Sequence, residues 1–378
     1  MTVHVRHARL DEYKRVSDFL DKYWAKDHAY VRMPQLFEWT FNRSRVWDGD
    51  GYSVAIAEVD GEVAGILGGI PFMFNCHGKV SRGVWLVNFL VRPVPGRGPV
   101  ALQMLNMFQR RPYSAVIAFG AKPSVIPFYR ARRAQILSGM PRHVAVLPGA
   151  VDRMTSLLRL TYADWPATRA RALAEAFRVE ALPALSEPAG SALPVDWDQK
   201  EWPRMAARTI GAARDSEYLT WRYLRHPRFT YRVITVPESE GIGLAIWRLE
   251  TIRRSTPLGM EEVDRIGRLV EFLPVSRQNA KDLLAVLWRE LEAADAMGVD
   301  YYGYHGEIGA WLRQAGFHGV ERQPDGEAIP SRFQPLDGRD GTIRSAIFAL
   351  QEGAPPCGMD QGCTWYWTKS DADQDRPN

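Results

Sequence analysis

The pattern of local signals predicts an α/β chain of the α+β kind: two tandem domains, each a mixed, mostly antiparallel central sheet flanked by helices. Three observations carry that prediction. At 378 residues the chain is long for one compact domain of this type and suits two. Its first half runs strand, helices, hairpin, buried strand, glycine turn, helix, strand, helix. After a linker-like stretch, the succession of hairpin, strand, helix, strand and helix returns. We therefore read residues 1–150 as a first domain, 151–203 as a helical and Pro/Ala-rich connection, and 204–378 as a second, degenerate domain that binds the acceptor or supports structure.

Val3–Ala8 alternates as a strand, Asp11–Trp24 reads as a helix with an acidic start, and Pro34–Asn42 as a short helix. Tyr52–Val59 and Val63–Pro71 flank Asp60-Gly61, the strongest hairpin signal in the chain, because this pair accepts the positive φ of a type I′ turn. From Val84 to Val91 only Asn88 is strongly polar, as in a strand covered on both faces. Pro93 and Pro95 end ladder pairing, and Gly96 and Gly98 let backbone amides turn inward with no Cβ in the way. Ala101, Leu102, Leu105 and Phe108 follow at helical spacing. That puts the amides at a helix N-terminus, where orphan N–H groups and the dipole attract a pyrophosphate. Taken alone, Gly-x-Gly also suits an ordinary strand-loop-helix connection. Ser114–Gly120 then gives a strand and Ser124–Ala134 a helix containing Phe128-Tyr129.

In this order, these residues resemble the GNAT family of acyl-CoA N-acyltransferases, over roughly Val3 to Ala150. The family cradle is written Gln/Arg-x-x-Gly-x-Gly/Ala after a strand ending Val-x-Pro. Val91-Arg92-Pro93 matches the strand end and Gly96-Arg97-Gly98 much of the cradle, with Pro95 in place of the Arg or Gln and Val100 in place of the last Gly or Ala. The resemblance implies acetyl-CoA or another acyl-CoA as co-substrate and no metal. It implies backbone contacts from Leu90 and Val91 to the pantetheine, and Gly96, Arg97, Gly98 and Pro99 around the pyrophosphate. The family also carries Phe-Tyr-x-x-x-Gly-Phe, whose Tyr protonates the departing thiolate. Tyr129 is the matching residue, with Arg133-Ala134 replacing Gly-Phe. A phenol suits that task because it gives up a proton as charge builds on sulfur; packing of the ring in an amphipathic helix is the competing reading.

In the second half, Tyr231–Pro237 and Ile242–Leu249 pair as a hairpin, Arg265–Leu273 reads as the long strand, Asn279–Met297 as a helix, Val299–His305 as a strand and Glu307–Ala315 as a helix. The connection after Leu273 has no glycine, so no pyrophosphate cradle is read there. Trp311-Leu312-Arg313-Gln314-Ala315-Gly316-Phe317 keeps the Gly-Phe that the first copy lost but places Leu312 at the tyrosine position.

The acceptor side is less explicit. Asn88 is a polar side chain on the central strand that cannot act as a base, and is read as a substrate-binding candidate. Tyr218, Trp221 and Arg222 share a helix face at i, i+3 and i+4, fit to stack on a sugar or hold a diphosphate; docking of that helix on the second sheet is the competing reading. Glu271, His28, His77 and His226 have the chemistry of a general base, and none is assigned that role. Asp371, Asp373 and Asp375 are spaced like calcium ligands but lack the sixth-place Gly and the closing Glu. The ending from Trp365 onward is similar to that of tandem GNAT-like proteins of bacterial surface-polysaccharide pathways, which implies a small-molecule amine acceptor, an amino sugar free or nucleotide-linked.

Composition excludes several classes. A net charge of +4 with no long block of like charge gives no nucleic-acid tail. No apolar run reaches membrane-span length, and the start lacks a signal-peptide pattern, so a cytoplasmic location is expected. Cys76, Cys357 and Cys363 are too few for a disulfide framework and lack zinc spacing. Two other functions compete: tRNA-dependent aminoacyl transfer to a peptidoglycan precursor, and a non-catalytic ligand-binding or scaffold protein with an eroded CoA site.

Overall fold

The computed structural model describes residues 3–42, 46–93, 97–137, 139–180, 189–323, 325–338, 341–350 and 364–376. β1 (Val3–His7) pairs antiparallel with β2 (Val54–Val59), with α1 (Tyr13–Tyr23), α2 (Ala29–Arg32) and α3 (Pro34–Phe41) between them. Val16, Phe19 and Leu20 form the buried stripe of α1, the spacing an amphipathic helix needs. Pro34 opens α3 at a position where its missing N–H costs nothing.

The Asp60-Gly61 turn forms as read, with φ of 52° and 87°, and leads into β3 (Glu62–Cys76). β3 runs past Pro71 because β2 has already ended there, so the missing proline N–H falls where β3 has lost that neighbour. A second turn of the same kind at His77-Gly78, φ 51° and 84°, starts β4 (Lys79–Val91). α4 (Arg97–Gln109), β5 (Ala115–Phe119), α5 (Ile126–Ala131), β6 (Gln135–Leu137) and β7 (Arg142–Val146) follow.

Strand alternation divides the core. Val84, Leu86, Val116 and Ala118 pack under Val100, Met104, Leu105 and Phe108 of α4, while Trp85, Ile117 and Phe119 join an aromatic core with Phe72, Trp365 and Trp367.

The connection read at 151–203 holds α6 (Val151–Thr161) and α7 (Ala167–Ala176) and ends at the start of α8 (Trp202–Arg208); β8 (Ile210–Ala212) and α9 (Ser216–Leu219) follow it. It is packed as well as helical: Leu157, Leu173, Phe177 and Trp197 are buried, and Trp197 Nε1 donates to the Arg214 carbonyl at 2.7 Å. The second half contains β9 (Arg232–Glu238), β10 (Gly241–Thr256), β11 (Gly259–Leu273), α10 (Arg277–Ala293), β12 (Gly298–Tyr304), α11 (Gly306–Gln314) and β13 (His318–Gly319). A small hairpin of β14 (Arg332–Phe333) and β15 (Leu336–Asp337) precedes β16 (Ser345–Ala349) and β17 (Trp365–Thr368).

Except for the hairpin, these strands join in one sheet of fifteen, mostly antiparallel. β4–β5 and β11–β12 are parallel pairs at corresponding places in the two halves. The halves also exchange strands. β16 inserts between β5 and β6, and β7 pairs with both β12 and β13. β8 and β17 bridge β3 to β12. A cut between the halves would strip each sheet of a strand, which ties their stabilities together.

Candidate active site

β4 and β5 pair only from Gly83–Leu86 against Ala115–Ala118. β4 continues to Val91, held by β3 alone through Leu90↔Ile66 and Val91↔Gly65. Among the described residues the backbone of 88–91 therefore has no strand on its β5 flank, and the two strand ends open into a wedge. Leu90 is half-buried and Val91 buried along this edge.

At the mouth of the wedge the ladder slips. Gly68 pairs with Val87 and Ile66 with Leu90, so Asn88 and Phe89 stand opposite Leu67 alone, a β-bulge. Asn88 takes φ 51° and is 7% exposed, and among the described residues both polar atoms of its side chain lack a hydrogen-bond partner. A buried unpaired amide costs about 1–3 kcal/mol, so the fold carries an unsatisfied donor and acceptor at this point.

The first turn of α4 lies just past the strand end. Gly98 and Pro99 are exposed, and a Cβ on Gly98 would meet no atom within 4 Å. Arg97 begins the helix. Gly96 and Pro95 lie outside the described residues, so the cradle reading is located only from Arg97 onward. Val100, at the place of the family's last small residue, points into the core and is fully buried.

α5 brings Tyr129 to the same region. Its ring is parallel to Phe89 within 5°, centroids 6.3 Å apart, and meets Phe348 edge-on at 5.0 Å. Burial pushes the Tyr129 phenol well above its ordinary pKa, so it stays protonated. Among the described residues its hydroxyl has no hydrogen-bond partner. The wedge thus assembles Asn88, Leu90, Val91, the α4 N-terminus and Tyr129. Phe89 and Phe348 carry no site signal in the sequence: Phe89 is one apolar residue of a strand that reads as covered on both faces, and Phe348 arrives on an exchanged strand.

Tyr218, Trp221 and Arg222 are placed elsewhere and turned inward. The Tyr218 hydroxyl donates to Asp371 at 2.9 Å. Arg222 donates to the carbonyls of Ser370 and Ala372, and Trp221 stacks on Trp39 at 4.7 Å while each indole N–H bonds the other's carbonyl. They dock the α9 region onto the C-terminal segment. The aspartates of that segment are split in the same way: Asp371 faces Arg214 at 2.8 Å, Asp375 faces Arg248 at 2.7 Å, and Asp373 pairs with Arg376. No cluster of metal-ligating side chains occurs among the described residues.

The candidate bases are also engaged. Glu271 is fully buried, accepting from Arg214 at 3.0 Å and from the hydroxyls of Tyr223 and Tyr366 at 2.6 Å each, and burial raises its pKa. His28 and His226 accept backbone N–H groups through Nδ1, and burial lowers each ring to about 3. His77 is a hairpin-turn residue whose ring lies 3.2 Å from the Ala207 carbonyl.

The corresponding strand ends of the second half open on a cavity of about 650 Å³, between Leu273–Val275 and His305–Ile308. Its chemistry differs. Ser276 caps α10 by accepting from the Asn279 N–H, and Leu312, fully buried, occupies the place of Tyr129. The helix start is thus already capped, and no phenol is available at that position.

No model of a known protein family matches the chain, and no curated protein matches it by sequence. Solved structures do match its fold. A conserved Enterococcus faecalis V583 protein described as a probable N-acyltransferase superposes with a TM-score of 0.54 at 13% identity, covering 93% of this chain and 74% of that one. A GCN5-related N-acetyltransferase from Anabaena variabilis gives 0.52 at 11%, covering 92% and 72%. Saccharomyces cerevisiae N-myristoyltransferase with bound myristoyl-CoA gives 0.55 at 13%, covering 93% and 80%. None of the helices among the described residues is long and apolar enough to cross a membrane. The likeness spans nearly the whole chain, and the fold of this protein is the GCN5-related N-acetyltransferase (GNAT) fold in tandem form.

Proposed function

We propose that the protein is an acyl-CoA-dependent N-acyltransferase whose chemistry lies in the first half. The observation that supports this reading is the β4/β5 wedge, where an open strand edge and an exposed helix N-terminus lie near a phenol that burial keeps in its acid form. Leu90 and Val91 would offer backbone groups to the pantetheine, and Gly96, Arg97, Gly98 and Pro99 would surround the pyrophosphate. The structural neighbours, among them an enzyme with bound myristoyl-CoA, support the acyl-CoA assignment.

The reaction is direct attack in a ternary complex. The amine nitrogen bonds to the thioester carbonyl carbon, the C–S bond breaks, and Tyr129 protonates the departing thiolate and then regains a proton from solvent. The amine loses its proton to solvent or to a base not assigned among these residues. Asn88, with its unpaired amide at the bulge, is the residue best placed to hold the thioester or the incoming amine. The acceptor is a primary amine, which we take to be an amino sugar, free or nucleotide-linked, of a bacterial surface-polysaccharide pathway. A CoA-release assay against a panel of amino sugars and their nucleotide conjugates tests this. Turnover with one of them supports the reading, and CoA binding without turnover on any primary amine would remove it.

A further inference from the structure

A cavity of about 550 Å³ lies between the halves at the C-terminal end of β5, beside the wedge. Gly120–Lys122 form one wall and Trp24-Ala25, in the connection after α1, another. Pro123 adds to the first wall, and the rest comes from the second half. Among the described residues its lining holds seven cationic side chains and two carboxylates.

Both carboxylates are already neutralised. Asp375 bonds Arg248 at 2.7 Å and the Tyr231 hydroxyl at 2.7 Å, and Glu250 is shared by Arg248 and Arg268. Positive charge is left over. The half-buried Lys369 ammonium makes no hydrogen bond or ion pair among the described residues; its neighbour is the face of Tyr302, 4.6 Å away. Lys122 rests 4.2 Å above Trp24, and Arg332 stands exposed at the rim. A half-buried ammonium with no direct ion-pair partner among the described residues, and with further cations beside it, gains from an anion that contacts it. One carboxylate would offset a single charge, whereas a diphosphate brings several and matches guanidinium geometry.

We propose that this cavity is an anion-binding subsite that holds a phosphate or diphosphate group of the acceptor, with Lys369 at its base and Arg332 and Lys122 at its edges. The identification of the ligand as acceptor rests on the acyltransferase reading above. One electrostatic feature agrees. Burial, and then Arg268, lower Lys369 to about 7, against the opposing pull of Asp300, Asp375 and Glu250. A bound anion raises that pKa again, so at pH 8 binding draws in up to about one proton.

The test is calorimetry of the full chain with inorganic pyrophosphate at pH 8, in two buffers of different ionisation heat, with and without saturating acetyl-CoA. Saturable binding with proton uptake is expected, unchanged when acetyl-CoA is present. Lys369→Met should weaken it by about tenfold or more and abolish the uptake, while leaving acetyl-CoA binding intact as proof of folding. Lys369→Arg and the exposed Arg332→Ala should restore and reduce affinity respectively. No binding at millimolar pyrophosphate, or equal binding by Lys369→Met and Arg332→Ala, overturns the proposal. Displacement by acetyl-CoA also overturns it, by giving the cavity to the cofactor's own phosphates. Lys369-dependent pyrophosphate binding without any acetyl-CoA binding would keep the anion site and remove the acyltransferase reading instead.

Discussion

The rings of Phe89 and Tyr129 lie parallel within 5°, their centroids 6.3 Å apart, one on the bulge of β4 and the other on α5. The pair fixes the phenol beside the open strand edge, and burial keeps it in the acid form. If Tyr129 protonates the leaving thiolate, Tyr129→Phe should lower kcat by about a hundredfold while changing the acetyl-CoA Kd little. Among the described residues the hydroxyl makes no hydrogen bond to lose, so the thermal midpoint should hold. Steady-state CoA release with a melting curve checks both.

Asn88 predicts a conflict between stability and activity. Its positive φ and unpaired buried amide are both costs, and Asn88→Gly removes both. The variant should be more stable by about 1 kcal/mol, the relief outweighing the extra chain entropy of glycine. Turnover should fall at the same time. Denaturant unfolding and initial rates on the same preparation decide it, and a variant that loses both stability and activity would mark Asn88 as structural.

Arg214 is the hinge of the buried polar network, bonded to Glu271 at 3.0 Å and Asp371 at 2.8 Å with no surface exposed on any of the three. Arg214→Met strands two carboxylates and should cost about 3–5 kcal/mol. Because the halves exchange strands, a single cooperative transition should shift rather than one of two. Urea unfolding followed by tryptophan fluorescence and circular dichroism reads this out.

Acid should destabilise the protein early. Burial holds the rings of His28, His143 and His226 at about 3 and those of His7 and His305 at about 4. These folded-state values lie below the unfolded value of about 6.5, so the unfolded chain binds more protons as pH falls. The stabilisation is complete above about pH 6.5 and is lost progressively toward about pH 3. The urea midpoint measured from pH 8 down to pH 4 should drop with this onset, and His226→Asn should flatten the slope.

Local chemistry was legible where the chain pairs with its own neighbours. Asp60-Gly61 announced its turn, but His77-Gly78 did not, because histidine in the left-handed region is an uncommon turn signal. The wedge was legible as a strand followed by a helix start, whereas its bulge depends on how β3 and β4 slide. Tyr218, on α9, and Arg222, on the π-helical turn after it, both meet the segment 370–372. That segment lies some 150 residues away in sequence and leaves no periodic trace. Strand exchange was invisible for the same reason: β7 and β16 are ordinary strands whose partners are set only by tertiary packing.

An acyl-CoA held by the first half at the start of α4 is detected by calorimetric titration of the chain with acetyl-CoA, alongside Gly98→Asp. The Gly98 position is exposed with room for a side chain, and an aspartate in a first helical turn does not harm folding. Saturable one-to-one binding that the aspartate weakens by about tenfold or more is the predicted result. No binding at millimolar acetyl-CoA, or equal binding by the variant, would contradict the account.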